Sequence, residues 1–295
     1  MQDKPYKSVL IVGCGYIGRR VAGLLPADTC QITGCVRSKQ SAAKLELSGI
    51  APLVIDLDQP AAKTGWADGF DEVFYFAPPT PHGEQDLRMH AFLQAIDTAA
   101  LPRRIVYIST SAVYGDCQGA WITESQALNP TTARGQRRLD AEQQLQAYCE
   151  LHNIQWLLLR VPGIYGPGKL PLARLREGTA VLREADSPYT NRIHADDLAR
   201  ICVAAMNSPH ADTVYNVSDG QPSNMTDYFF KVADAAGLPR PPTISRSEAA
   251  QVLSAGMLSF LNDSRRMSNA KMLDELAVTL LYPDLDSGLR ACFTA

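Results

Sequence analysis

The first half of the chain alternates short apolar runs with longer stretches in which apolar residues recur at helical spacing. The runs are apolar on both faces, which is typical of parallel strands covered by helices on two sides. The predicted strands cover residues 8–12, 31–36, 52–55, 72–76, 104–109 and 155–160. The predicted helices between them cover residues 16–25, 39–48, about 84–100 and about 135–152. This pattern predicts an α/β fold with a doubly wound parallel sheet.

The regular alternation ends after Tyr165. Glycine and proline cluster at residues 163–171, and an apolar segment at 213–217 predicts a late strand that returns to the main sheet. We therefore expect a larger domain and a smaller, discontinuous C-terminal domain. The predicted larger domain covers residues 1–166 plus 193–218, and the smaller one covers residues 167–192 plus 219–295.

A glycine-rich loop at residues 13–18 directly follows the first predicted strand and opens the first predicted helix. In such a loop Gly13 permits a tight turn, Gly15 lets the backbone approach a pyrophosphate, and Gly18 lets helix and strand pack closely. The N-terminus of the helix attracts the anion. This placement predicts a Rossmann-type dinucleotide site in the larger domain. The candidate cofactor-binding residues of the loop are Gly13, Gly15, Tyr16, Ile17 and Gly18.

The turn after the second strand indicates which dinucleotide binds. A free ribose 2′-hydroxyl usually meets an Asp or Glu about 20 residues after the loop, but Arg37 and Ser38 occupy this turn. A guanidinium suits a 2′-phosphate, so we favour NADP over NAD; the alternative is a solvated basic turn. Asp56, after the third strand, is placed either to reach the adenine or to cap the following turn. Ala77, after the fourth strand, is a further candidate cofactor-binding residue.

Composition and charge narrow the classes of function. The 295 residues carry 28 Lys and Arg against 31 Asp and Glu, a net charge of −3. This balance argues against a nucleic-acid partner, which usually needs a basic face. No apolar run approaches the ~18 residues of a membrane span, and residues 1–7 lack the apolar stretch of a secretory signal. The seven cysteines and five histidines show no disulfide or metal-ligand spacing. We expect a soluble, cytoplasmic protein that binds no metal, nucleic acid or membrane.

Further motifs lie in order along nearly the whole chain. They are Tyr-Ile-Ser-Thr-Ser-Ala-Val-Tyr-Gly at 107–115, Arg-Val-Pro-Gly-Ile-Tyr-Gly-Pro-Gly at 160–168, Arg-Ile-His-Ala-Asp-Asp-Leu at 192–198 and Tyr-Asn-Val-Ser at 215–218. With the terminal segments 265–276 and 282–289, they resemble the extended short-chain dehydrogenase/reductase family, which includes nucleotide-sugar epimerases and dehydratases. The resemblance implies an NAD(P)-binding domain, a smaller substrate-binding domain, and hydride transfer on a small nucleotide-linked substrate.

The resemblance also implies roles for individual residues. Thr110 stands at the catalytic Ser/Thr position, with Ser111 beside it, where a hydroxyl hydrogen-bonds the reacting carbonyl or alcohol oxygen. The alternative is a strand-end hydroxyl that satisfies the local backbone. Pro162 and Ile164 match the loop beside the nicotinamide of the cofactor.

The family's catalytic Tyr and Lys, four residues apart on one helix, are replaced. Arg134 occupies the Tyr position and Arg138 the Lys position. A guanidinium stays protonated, so Arg134 cannot exchange a proton near neutral pH, whereas Arg138 could hold ribose or phosphate. Alternatively, both arginines lie on a solvated basic helix face. The departure resembles atypical members of the superfamily. The substitute acids that can be proposed are Tyr114, Tyr165, His194 and Asp196. The alternative for the two tyrosines is a place in the core or in a loop. The alternative for the segment around His194 is a structural role at the junction of the two domains.

Two functions are consistent with these observations. One is an NADP-dependent enzyme for a nucleotide-linked sugar or related carbonyl substrate, with phosphates met by arginines of the smaller domain. The candidate arginines are Arg192, Arg265 and Arg266. The other is a non-catalytic NADP(H) sensor or regulatory protein. The resemblance further implies a homodimer paired through helices 84–100 and 135–152. The apolar side chains that could form that face, or pack on their own sheet instead, are Leu139, Leu145, Tyr148 and Leu151.

Overall fold

The computed structural model of the chain describes residues 6–59 and 65–294. The strands of these ranges are β1 (Lys7–Val12), β2 (Cys30–Val36), β3 (Ala51–Val54), β4 (Glu72–Tyr75), β5 (Arg104–Thr110), β6 (Trp121–Ile122), β7 (Gln155–Val161), β8 (Gly163–Tyr165), β9 (Val181–Leu182), β10 (Tyr189–Thr190), β11 (Arg192–His194), β12 (Thr213–Asn216), β13 (Ser223–Asn224), β14 (Thr243–Ile244) and β15 (Arg266–Met267). The helices are α1 (Tyr16–Leu24), α2 (Lys39–Glu46), α3 (Leu87–Gln94), α4 (Ala133–His152), α5 (Leu172–Arg176), α6 (Ala195–Asn207), α7 (Met225–Ala235), α8 (Arg246–Val252), α9 (Ala255–Phe260), α10 (Ala270–Leu276) and α11 (Leu285–Thr294). Short 3₁₀ helices cover Ser111–Tyr114 and Glu184–Asp186.

Seven strands form one sheet in the order β12-β7-β5-β4-β1-β2-β3. Every neighbouring pair in this sheet is parallel. The chain runs outward from β1 to β3, then returns to the other side of β1 at β4, so the strand order reverses between β1 and β4. The predicted doubly wound α/β fold is therefore confirmed, and the predicted late strand lies at the sheet edge as β12.

Helices cover both faces of this sheet. On one face α1, α6 and α10 pack around residues such as Ile11 and Leu198. On the other face α3 and α4 pack around residues such as Phe92 and Leu145. Burial of strands on both sides explains why their sequences read as continuous apolar runs.

The proposed dimer face of α4 is largely used within the chain itself. Leu145 is fully buried in the core, Tyr148 packs against the same core, and Leu139 packs beside Val113 near the short 3₁₀ helix. Of the four side chains considered, Leu151 alone is exposed, at 75%. Leu145 and Tyr148 thus pack on the parent sheet, whereas Leu139 packs against the 3₁₀ helix.

A smaller set of elements packs beyond the carboxyl ends of the strands. Helices α5, α7 and α11 surround a core that includes Leu175, Phe229 and Leu289, and β9 pairs with β14. Helix α10 instead places Met272 and Leu276 against the core of the large sheet. The predicted boundaries of the two domains remain a prediction. No helix within residues 6–59 and 65–294 is long and apolar enough to cross a membrane.

Helix α3 is shorter than the predicted helix over 84–100. It begins after Asp86, whose carboxylate accepts hydrogen bonds from the amide N atoms of Arg88 and Met89. Such an N-cap fixes the start of a helix because it satisfies the otherwise unpaired first-turn amides. The helix ends at Gln94, and the carboxylate of Asp97 then accepts from the amide N of Ala99 in a turn.

Candidate functional site

The loops at the carboxyl ends of the large sheet bring the sequence motifs together. Gly13 follows β1, Ala77 follows β4, and Thr110 ends β5. Pro162 lies between β7 and β8. Ligands of doubly wound folds bind at this edge, where the strand order reverses. Two depressions lined by described residues lie at this edge, and we name them the dinucleotide pocket and the cleft.

The glycine loop has the geometry of a close backbone approach. Gly13 has a φ of +79°, and a Cβ there would lie 2.6 Å from the backbone N of Ala77, so a side chain is excluded both by conformation and by space. Gly15 is the N-cap of α1 and provides no side-chain cap, which leaves the first turn open to an anion. A Cβ on Gly18 would lie 3.0 Å from a side-chain carbon of Ile11.

The side chains of Tyr16 and Ile17, the two residues between the second and third loop glycines, make different contacts. The Tyr16 hydroxyl donates to the carbonyl O of Pro167 at 2.9 Å, and the Arg20 guanidinium lies 3.9 Å from the Tyr16 ring centre. Ile17 is buried in the core of the large sheet. Tyr16 therefore connects the glycine loop to the segment that follows β8. Ile17 can contact a ligand through its backbone alone.

The dinucleotide pocket has a volume of about 230 Å³. Its lining residues are Gly13, Cys35, Val36, Arg37, Ile55, Asp56, Leu57, Ala77, Pro78 and Arg88. Arg37 is exposed there. Ser38 is absent from the lining, and its hydroxyl caps α2 by accepting from the amide N of Ser41 at 3.2 Å. Asp56 lines the pocket and also accepts from the amide N of Asp58 at 3.1 Å. It thus caps the following turn, and its contact with the adenine stays a prediction.

The cleft has a volume of about 310 Å³ and lies between β5, β7 and the smaller set of elements. Its lining residues are Thr110, Ser111, Ala112, Arg134, Pro162, Gly163, Tyr189, Thr190, Asn191, Arg192, Met225, Asp263 and Arg265. The Thr110 hydroxyl accepts from the amide N of Ala112 at 3.3 Å, so it caps the 3₁₀ helix and still borders the cleft. Ile164 lies on β8 and packs against the large core, outside the lining.

The arginines that replace the Tyr and Lys have separate environments. Arg134 is half-buried and lines the cleft, and burial lowers the pKa of its guanidinium. Arg138 donates through Nη1 to the Tyr107 hydroxyl at 3.0 Å and to the carbonyl O of Ile108 at 3.1 Å. Between them, Arg137 is buried and donates to the carbonyl O of Gly83 at 2.6 Å. Arg138 therefore packs on β5 rather than on a solvated basic helix face, whereas Arg134 lies half-buried at the cleft.

The cleft is rich in positive charge. Burial lowers the pKa of Arg192, and its Nε is buried without a hydrogen-bond partner in the described ranges. Arg265 is buried, donates to the carbonyl O of Gly115 and lies 3.3 Å from an Asp263 carboxylate oxygen. Arg266 does not line the cleft; it donates to the carbonyl O of Gly119 at 2.7 Å.

The four proposed substitute acids lie outside the cleft lining. The Tyr114 hydroxyl donates to the Asn216 side-chain oxygen at 2.7 Å and accepts from Arg160 at 3.0 Å. Tyr165 is buried, and burial raises the pKa of its hydroxyl. The His194 Nδ1 accepts from the amide N of Asp196 at 3.2 Å.

The Asp196 carboxylate forms an ion pair with Arg20 at 2.7 Å. Its neighbour Asp197 accepts from the amide N atoms of Leu281 and Tyr282 at 2.7 and 2.9 Å. This segment therefore joins α6 to α1 and to the chain before α11.

Sequence reasoning missed several lining residues, which lie outside the quoted motifs. Tyr189, Asn191, Met225 and Asp263 line the cleft, and Arg88 lines the dinucleotide pocket. Asn191 carried the one available signal, because it directly precedes the 192–198 motif. Among residues 6–59 and 65–294, no group of three or more His, Cys, Asp or Glu side chains could hold a metal ion.

Comparison with known proteins agrees with this geometry. The chain is 26% identical to Protein YeeZ of Escherichia coli (strain K12) over 288 residues, covering 94% of this chain and 97% of that protein. It is 31% identical to a conserved protein of unknown function from Silicibacter pomeroyi DSS, with a TM-score of 0.80 over 97% of this chain and 98% of that one.

A structure of UDP-glucose 4-epimerase from Thermotoga maritima with UDP-glucose has a TM-score of 0.78 at 14% identity, over 97% of each chain, and therefore supports the fold alone. The family model that matches residues 9–218 is described as the NAD dependent epimerase/dehydratase family. This match spans both sides of the strand-order reversal, the glycine loop and the strands that border the cleft. The chain belongs to the NAD-dependent epimerase/dehydratase family.

Proposed function

We propose that this protein is an NADP(H)-dependent oxidoreductase that acts on a nucleotide-linked sugar or a related small carbonyl or hydroxyl substrate with an anionic group. The observation that carries the proposal is the charge of the cleft. Arg134, Arg192 and Arg265 line it, whereas Asp263 is the one carboxylate among its described lining residues. Three guanidinium groups against one carboxylate give this lining a net positive charge, which suits phosphate or carboxylate groups of a ligand.

The neighbouring pocket offers contacts for the pyrophosphate and the adenosine half of a nicotinamide dinucleotide. The backbone cradle at Gly13 leaves no space for a side chain, and the first turn of α1 is open to a pyrophosphate. Arg37 is exposed beside this cradle and offers paired donors for a 2′-phosphate. When bound, a nicotinamide cofactor supplies or accepts a hydride. UDP-glucuronic acid 4-epimerase from Bacillus cereus, a structural neighbour at 18% identity and a TM-score of 0.77, has been solved in complex with NAD.

The side chains of the cleft can act on a reacting oxygen without the usual Tyr. The Thr110 hydroxyl borders the cleft at the end of β5 and can hydrogen-bond a substrate carbonyl or alcohol oxygen. Arg134 keeps its charge near neutral pH, so it can stabilise negative charge on that oxygen but cannot donate a proton to it. Proton exchange is left to Tyr189, to Asp263 or to water.

Cofactor choice is tested by titrating the protein with NADPH and NADH and following ligand fluorescence. We expect tighter binding of NADPH. Arg37→Gln should weaken NADPH binding about tenfold or more, the loss typical of charged hydrogen bonds, and leave NADH binding unchanged. Lys44→Gln, on the last turn of α2, is the matched control and should change neither. Preference of the natural protein for NADH would refute the assignment of NADP.

Substrate class is tested by turnover on a panel of nucleotide sugars with NADP⁺ or NADPH. We expect turnover that Thr110→Ala abolishes, while the exposed control Ser125→Ala retains it. Arg192→Gln should raise KM more than it lowers kcat, because Arg192 is assigned to substrate binding. Absence of turnover on every substrate, with tight NADPH binding intact, would contradict the enzyme proposal.

A second candidate function, a non-catalytic NADP(H) sensor, is favoured by one specific observation. Arg138, at the position of the family's Lys, is committed through Nη1 to the Tyr107 hydroxyl and the carbonyl O of Ile108. A side chain held by its own protein is less available to the cofactor ribose. This function predicts tight NADPH binding without turnover, and turnover that depends on Thr110 would exclude it.

A further inference from the structure

A third cavity, distinct from the dinucleotide pocket and from the cleft, lies within the smaller set of elements. It has a volume of about 190 Å³, and we name it the apolar cavity. Its lining residues are Arg174, Val181, Leu182, Ser187, Met225, Thr226, Tyr228, Phe229, Leu253, Met257 and Leu261. An apolar cavity of roughly 150 Å³ is large enough to bind benzene. The apolar cavity therefore has room for an aromatic ring or a short branched chain.

Two of its polar side chains are hydrogen-bonded within the protein. The Thr226 hydroxyl donates to the carbonyl O of Leu182 at 2.7 Å, and the Ser187 hydroxyl accepts from the amide N of Thr226 at 3.2 Å. In contrast, the Nε of Arg174 is buried and has no hydrogen-bond partner within the described ranges. A buried donor without a partner is costly, and an acceptor atom on a ligand would satisfy it.

No carboxylate among the described residues forms an ion pair with Arg174. Its guanidinium lies 4.5 Å from the Phe229 ring centre, and its Nη2 donates to the carbonyl O of Ala180 at 3.4 Å. Burial lowers the pKa of this guanidinium, and within residues 6–59 and 65–294 no carboxylate offsets that effect. A cation in an apolar wall is complementary to a ligand that joins an apolar body to a single anionic group.

We propose that the apolar cavity is a ligand site for a small apolar carboxylate, whose anionic group pairs with Arg174 and whose body lies among Val181, Phe229 and Met257. The site is distinct from the cleft but adjoins it, because Met225 lines both. The Met225 sulfur also lies 3.2 Å from Nη2 of Arg192. A ligand in the apolar cavity would thus contact a side chain that also borders the cleft.

The test uses benzoate with the full chain, free of cofactor, in isothermal titration calorimetry. Benzyl alcohol supplies the ring without the charge, and acetate supplies the charge without the ring. We expect benzoate to bind more tightly than either. Arg174→Gln should weaken the binding of benzoate about tenfold or more, as expected for loss of a charged hydrogen bond. It should leave the affinity for benzyl alcohol unchanged. Arg176→Gln, exposed on the same helix α5, is the matched control and should bind benzoate normally.

A second measurement locates the ligand without relying on a variant. In NMR spectra of protein labelled with ¹³C-methyl methionine, benzoate should shift the methyl resonances of Met225 and Met257. The methyl resonances of Met89 and Met272 should not shift, because these residues are buried in the cores on the two faces of the large sheet. Equal benzoate affinity in the natural protein and Arg174→Gln would overturn the proposal. So would loss of benzoate binding in Arg192→Gln with retention in Arg174→Gln, because the anion would then lie in the cleft.

Discussion

Asp219 couples the stability of this protein to pH in an unusual direction. The carboxyl is 5% exposed, and burial raises its pKa from 3.8 to about 7 despite a hydrogen bond from the amide N of Gln221 and the charge of Arg192. One carboxyl oxygen, Oδ2, is buried without a hydrogen-bond partner in the part of the chain that the structure describes. The folded protein therefore keeps this carboxyl neutral at a pH where the unfolded chain has already ionised it.

The sign and size of the effect follow from linkage. Because the folded pKa lies above the unfolded one, the folded state binds more protons between the two values. The contribution of Asp219 to stability is thus fully present below the unfolded pKa and is lost as pH rises toward about 7. A difference of about 3 pKa units, at about 1.4 kcal/mol each, corresponds to on the order of 4 kcal/mol. Above that range the ionised carboxylate also offsets the charge of Arg192, so anion binding in the cleft should weaken.

Urea unfolding of the natural protein and of Asp219→Asn, at steps from about pH 4 to about pH 8, measures this contribution as the difference between their free energies of unfolding. We expect the free energy of unfolding of Asp219→Asn to rise relative to that of the natural protein as pH rises, by up to about 4 kcal/mol. Asp234→Asn is the control. Asp234 is exposed, and the hydrogen bond from Arg240 holds the pKa of its carboxyl below the ordinary value, so any effect should be small and of opposite sign. A stability difference for Asp219→Asn that is flat with pH would refute the burial argument.

Three further predictions concern the core and the loop. Glu142→Gln should destabilise the protein by about 3–5 kcal/mol in urea unfolding, because Arg160 donates to both oxygens of the buried carboxylate; a loss below about 1 kcal/mol would contradict this. Gly13→Ala should abolish NADPH binding in a fluorescence titration, because its Cβ would lie 2.6 Å from a backbone nitrogen; normal binding would count against the assigned cradle. Leu145→Ala should lower the free energy of unfolding by about 2–5 kcal/mol, and the exposed Leu151→Ala should lower it by less than about 0.5 kcal/mol. Equal decreases in Tm for the two variants would show that Leu151 is buried in an interface.

The dinucleotide half of the candidate site was more predictable than the substrate half. Gly13, Arg37, Asp56 and Ala77 were identified by their place directly after strands, and parallel strands deliver such residues to one edge. The cleft draws instead on segments distant in sequence. Asp263, which no motif marks, lies 3.3 Å from Arg265 and lines the same cleft as Arg134.

Helix α4 shows why spacing alone was insufficient there. Residues 134 and 138 are one helical turn apart and were expected to share a face. Arg134 nevertheless lines the cleft, while Arg138 binds acceptors on β5. The arginine at 137 is buried against Gly83. Long side chains take whichever acceptors the neighbouring elements present, and those elements are separated from α4 by many residues in the sequence.

The sequence by itself determined the order of strands and helices, the parallel sheet and the glycine loop. These features depend on local periodicity and on residues that must lie next to each other along the chain, and the family match is consistent with them. The tertiary structure decided which arginines line the cleft, that Tyr114 and Tyr165 are buried outside it, and that Arg174 lies in an apolar cavity. Burial and unpaired charge arise from packing between distant segments, so they become visible only when the chain is folded.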